Sequence, residues 1–179
     1  MRDPFEHADL GAAAAVRAEW RADEEEWTQA AIERWQHDRT VHDLMLECMH
    51  RGDRLLVELP HATLTGVLRG VGDDFVALDS PGGRVDVPVD ARAVVFRVAE
   101  PARAGGTRGA AVTTFRMRLY ELEADAGTVE VGTASSAVTL TGRLQVARDH
   151  VVVRERDGGY SVVALGTVAW IRGPLVDDD

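Results

Sequence analysis

The sequence predicts an α+β fold, with an acidic N-terminal helical segment followed by two tandem five-stranded small β-barrels, each introduced by a short helix. Three observations predict it: apolar residues recur with helical period over residues 9–36, the period switches to alternation after Gly52, and the alternating part is written twice at an offset of 76 residues. The division implied is an acidic tryptophan-bearing helix over 1–39, a first barrel over 40–98, an Arg/Gly/Ala-rich linker over 99–113, a second barrel over 114–176 and an acidic tail over 177–179.

In the first segment, Ala13, Val16, Trp20, Trp27, Ala31 and Trp35 fall on one arc at about 100° per residue, with Glu24 the intruder. Three tryptophans on one stripe need a partner surface, so Trp20, Trp27 and Trp35 are expected to be an interaction surface that packs on a barrel or on a second copy. Glu24, Glu25 and Glu26 read as a solvated face. Thr40 followed by Asp43 is a variant capping pattern. It opens a short helix over Val41–His50, whose stripe is Val41, Leu44, Met45 and Cys48 and whose stop is Gly52.

Strand periodicity then takes over. Leu55, Val57 and Leu59 alternate, followed by runs over 64–71, 75–78, 85–89 and 94–98, with turn chemistry at Pro60, Gly72 to Asp74, Pro81 to Gly83 and Asp90. Five strands in so short a stretch imply a strongly bent antiparallel barrel, because an open sheet of that size would leave bare edges. Thr63-Leu64-Thr65-Gly66 returns unchanged as Thr139-Leu140-Thr141-Gly142. In the same register Leu68 matches Leu144, Asp73 matches Asp149, Val76 matches Val152, Gly82-Gly83 matches Gly158-Gly159, and Val87 matches Val163. Phe115, Leu119 and Leu122 form a second short helical stripe ahead of Val129 and Val131.

A helix, a bent strand with a central glycine, an acidic turn and three further strands resemble the Sm-like fold of Sm and LSm proteins, Hfq and the C-terminal domain of RimP. The run Leu64, Gly66, Leu68, Asp73, Val76, Leu78 is similar to the first Sm signature, and Ile171-Arg172-Gly173 is spelled like the second, where repeat one has Phe96-Arg97-Val98. The resemblance covers residues 40–98 and 114–173. It implies a non-enzymatic protein that binds RNA or ribonucleoprotein, with Arg172 against a base. The charge pattern adds Arg103, Arg108, Arg116 and Arg118, a stretch with no acid from 101 to 119, as phosphate contacts, and Arg154 and Arg156 as members of a second basic group. The resemblance also implies that the barrels pair with each other, or that the chain forms a homodimer.

Charge frames the alternative. The 30 acids outweigh 20 basic residues, all of them arginine, for a net charge of −10. Residues 1–50 hold 12 acids against 5 arginines, whereas residues 101–176 hold 7 against 9. An acidic whole opposes sequence-blind attraction to phosphate, and a weakly basic second half leaves room for a local patch. Arg154 and Arg156, two apart, are expected on one strand face. Ala77 and Val153 stand where the Sm signature carries its base-reading asparagine, which together with the Trp stripe supports a protein-interaction or scaffold module with no nucleic-acid ligand. Catalytic motifs are missing, and the spacing of His37, His42, Cys48 and His50 does not converge on a metal, so no catalytic residue, metal or cofactor is expected. One cysteine excludes an intrachain disulfide, and no apolar run approaches the length of a membrane span, which makes a cytoplasmic protein the expectation.

Overall fold

The structure, a computed structural model, describes residues 8–89, 94–106 and 114–173. The chain divides into two compact units, residues 1–40 and 41–179.

The first unit carries one long helix, α1 (Ala8–Asp38), exposed along its described side chains. Local contacts lie along it. Gln29 Nε2 donates to Glu33 Oε1 at 2.9 Å one turn on, and the Arg39 guanidinium lies 4.3 Å from the centroid of the Trp35 ring. Trp20, Trp27 and Trp35 are 73, 77 and 58% exposed.

The second unit begins with α2 (Val41–Arg51), which buries Met45, Cys48 and Met49. Gly52 ends it in the left-handed region at φ +84°, returning its N–H to the Cys48 carbonyl at 2.9 Å. Strands β1 (Arg54–Leu59), β2 (Ala62–Val71), β3 (Phe75–Ser80), β4 (Gly83–Pro88) and β5 (Val95–Glu100) follow. Helix α3 (Phe115–Ala124) starts the second repeat, capped by the Thr114 hydroxyl, which accepts from the Met117 N–H. Strands β6 (Thr128–Thr133), β7 (Thr139–Val146), β8 (His150–Arg154), β9 (Tyr160–Ala164) and β10 (Val168–Arg172) complete it, with a single 3-10 turn at Leu165–Thr167.

The ten strands form one antiparallel sheet in the order β5-β1-β2-β3-β4-β10-β6-β7-β8-β9. This corrects the expectation of two closed five-stranded Sm-like barrels: the sheet is continuous and not closed. The physical reason lies in β4. Rather than folding back within its own repeat, it pairs with β10, placing Ile171 opposite Asp86 and Arg172 opposite Val85. Edge coverage, the argument that called for closure, is met at this seam by the other repeat.

The repeat itself is visible in the pairing. Each repeat runs fifth-first-second-third-fourth, and Gly66 opposite Leu55 corresponds to Gly142 opposite Val129. A Cβ on either glycine would strike the carbonyl of the next strand, Asp79 or Arg154, so close approach demands glycine at both. The ungapped offset fails in one place. A bulge between Leu68 and Gly70 consumes a residue in β2, so Val76 corresponds to Val151 and Asp74 to Asp149, instead of the matches that the sequence suggests.

Two cores lie within the unit. One gathers α2 with Leu55, Val57, Leu68, Val76, Leu78, Val85 and Val87. The other gathers α3 with Val129, Val131, Val151, Val153 and Ile171, and takes in Phe75 and Ala77 from the first repeat.

Candidate functional site

The seam between repeats is the most elaborated polar site among the described residues. Asp86 sits in the middle of β4 with its carboxylate fully buried. Arg84 Nε donates to one carboxylate oxygen at 2.9 Å, and Arg118 Nε, from α3, donates to the other at 2.8 Å. Arg118 also donates from Nη1 to Glu121 at 2.8 Å. Burial alone would push the Arg118 guanidinium down, but the carboxylates of Asp86 and Glu121 outweigh it and hold it above its ordinary value. Asp74 completes the contact: its carboxylate accepts from the Phe115 N–H at 2.6 Å at the start of α3, where negative charge is favoured. The Phe75 and Phe115 rings meet there with centroids 6.0 Å apart.

A second polar knot pins the segment after β5. Asp53, fully buried, accepts from Arg51 Nη2 at 2.7 Å and from the Ala102 N–H at 2.7 Å. Burial would raise the Asp53 carboxyl, yet the bonds from Arg51, Ala102 and the Cys48 thiol hold it below the usual carboxylate range. Burial and the neighbouring Asp53 carboxylate push the Cys48 thiol up.

The arginines expected to contact nucleic acid do not gather. Arg103 is exposed in the segment after β5, and Arg108 lies outside the described residues. Arg116 is exposed on α3 and donates to the Ala147 carbonyl at 3.3 Å. Arg118 is buried in the seam. Arg154 ends β8 and donates to Gln145 at 3.1 Å, while Arg156 lies beyond the strand in the following turn. Both are exposed, but the expectation that they share a strand face is corrected, because β8 stops at Arg154. Arg172 on β10 donates to Glu130 at 2.8 Å and lies 5.6 Å from the Trp170 ring centroid.

Asp86 and Asp74 escaped sequence reasoning. In the Val85, Val87, Val89 alternation Asp86 occupies the position of an outward polar residue, and only the neighbouring repeat makes it interior. Among the described residues no group of three His, Cys, Asp or Glu converges to hold a metal, and no described helix is long and apolar enough to cross a membrane. No family model matches the chain, and no curated protein matches it.

Proposed function

We propose that this chain is a non-enzymatic protein-interaction module acting in a soluble, cytoplasmic setting. One contrast carries the reading. Arg118 and Arg172 are engaged with carboxylates of this chain, while apolar side chains stand exposed on both outermost strands, Val95 and Val98 on β5 and Tyr160 and Val162 on β9. Guanidinium groups held by internal carboxylates release few counterions, and exposed apolar strands favour another protein surface. Exposed Arg103, Arg116, Arg154 and Arg156 favour the second reading, RNA or ribonucleoprotein binding in the Sm-like manner.

Titration of the full chain with mixed single-stranded RNA at about 50 mM salt separates the two, since electrostatic affinity is high there. The interaction module gives no binding and a 260-to-280 nm absorbance ratio typical of bare protein. Saturable binding with a salt slope near −0.7 per phosphate contact overturns it in favour of RNA.

A further inference from the structure

Helix α1 carries an exposed face whose chemistry specifies what would cover it. Trp20, Glu24, Trp27, Ala31, Arg34 and Asp38 recur at alternating steps of four and three residues, the spacing at which one helix presents a seam to another. Trp20 and Trp27 take equivalent places one heptad apart, and both rings stand in solvent. Beside the Trp27 ring, the small side chains of Thr28 and Ala31 leave a shallow groove, closed off by Glu24, Ile32 and Trp35.

Two carboxylates interrupt this aromatic face. Asp23 and Glu24 each lie three or four residues from both Trp20 and Trp27, so helical geometry places them on the surface between the two rings. Carboxylates beside aromatic faces are the complement of a guanidinium, which pairs with the one and stacks on the other. The same helix already shows the second half of that contact, because the Arg39 guanidinium lies 4.3 Å from the centroid of the Trp35 ring.

We infer that α1 is the docking surface for an amphipathic helix of another protein, one that sets an arginine against Asp23 and Glu24 between the Trp20 and Trp27 rings and apolar side chains in the groove over Ala31. The assignment rests on the interaction reading above and names the chemistry of the partner.

Charge selects a different protein over a second copy. Residues 14–38 carry seven acids against three arginines, so two copies of α1 repel each other as they approach. Laid parallel and in register, they would oppose Glu24 to Glu24 and Asp38 to Asp38 along the seam. A cationic helix meets neither penalty. It neutralises the acidic turn from Asp23 to Glu26, while its apolar side chains withdraw the indole rings from water.

Titration of the full chain with a designed helical peptide tests this, the peptide having leucine on one face, arginine within and beside that face, and no tryptophan. Its counterpart has glutamate for every arginine. Over about 1 μM to 1 mM peptide, a range that covers weak to moderate association, the arginine peptide binds saturably and shifts the tryptophan emission to shorter wavelength. The glutamate peptide leaves the emission unchanged. Glu24→Arg weakens the arginine peptide by roughly tenfold or more, since like charges then meet at the seam, and gains affinity for the glutamate peptide. Glu25→Arg removes the same charge from another side of the helix and stays within about threefold of the wild type, as a surface charge outside the contact does. Trp27→Ala loses roughly tenfold, as a central aromatic anchor does. A wild type that ignores the arginine peptide, or takes both peptides alike, overturns the proposal and leaves the interaction reading to other surfaces, decided separately by the RNA titration. Equal weakening in Glu24→Arg and Glu25→Arg overturns it by reducing the binding to general attraction toward an acidic chain. An emission shift that follows protein concentration without peptide, together with a light-scattering mass of two chains that Trp27→Ala returns to one, overturns it in favour of a second copy.

Discussion

Arg118 of the second repeat donates to Asp86 of the first across the strand seam, Nε to Oδ2 at 2.8 Å, with both side chains withdrawn from solvent. The pair sits where β4 and β10 meet, a junction with two paired positions, beside the apolar contacts by which Phe75 and Ala77 enter the second core and Trp170 the first. A buried pair of this kind contributes little net stability over an apolar replacement, but losing one partner is costly.

Asp86→Ala is therefore expected to destabilise the sheet by about 3 to 5 kcal/mol, because the Arg118 charge remains buried with only Glu121 at its far side. The double variant Asp86→Val with Arg118→Met is expected to recover most of that loss. Urea unfolding followed by far-ultraviolet circular dichroism measures both. Equal losses in the single and double variants would show that the ion pair is irreplaceable.

Ala126 corresponds to Gly52 at the end of the preceding helix, yet it holds the left-handed conformation, φ +53°, without glycine's freedom. That conformation costs a side-chain-bearing residue roughly 1 to 2 kcal/mol, while introducing glycine loosens the unfolded chain by about 0.4 to 1 kcal/mol. The first effect wins. Ala126→Gly is expected to stabilise the chain by about 0.5 to 1 kcal/mol, read as a higher urea midpoint at unchanged slope. A lower midpoint would mean that the strain at Ala126 is absorbed without cost.

Much of this architecture is legible in the sequence, and the illegible part has one cause. The stripes of α1 and α2, the switch of period after Gly52 and the paired glycines Gly66 and Gly142 are local patterns, and each element forms where its pattern lies. The seam is non-local. Nothing in Val85, Asp86 and Val87 announces that β10 will lie alongside, and without that strand a charged residue in an alternating run reads as solvent-facing. Arg118 misleads for the same reason: beside Arg116 it resembles part of a basic cluster, but helical geometry turns it inward against Asp86. The bulge in β2 is equally silent, and it shifts the repeat by one residue in the next strand alone.

Asp53 makes part of the stability depend on acid. Its folded carboxyl lies below the unfolded value of about 3.9, so its contribution is present above that pH and is lost as pH falls through the lower folded value. Stability is thus expected to drop with decreasing pH below about 4. Asp53→Asn should flatten that part of the dependence while lowering stability at neutral pH, since Arg51 loses one of its two carboxylates and keeps Glu47, while the Ala102 N–H keeps an acceptor. Urea midpoints at a series of pH values decide it. An unchanged acid limb in the variant would assign the acid sensitivity to other carboxylates.

The tryptophans provide the last test. Burial of Trp20, Trp27 and Trp35 would make Trp27→Ala cost about 3 to 5 kcal/mol, whereas their exposure of more than half puts the effect within about 0.5 kcal/mol, the range of surface substitutions. Trp170 is different. It is 8% exposed, packed into the first core, and its indole ring leaves no room for a side chain at Gly132. Acrylamide quenching should therefore resolve two populations, three accessible tryptophans and one protected, and Trp170→Phe should abolish the protected fraction. Urea unfolding of Trp27→Ala should superimpose on that of the wild type. A chain in which all four tryptophans resist quenching, or in which Trp27→Ala melts early, would show that the stripe on α1 is covered before any other protein binds.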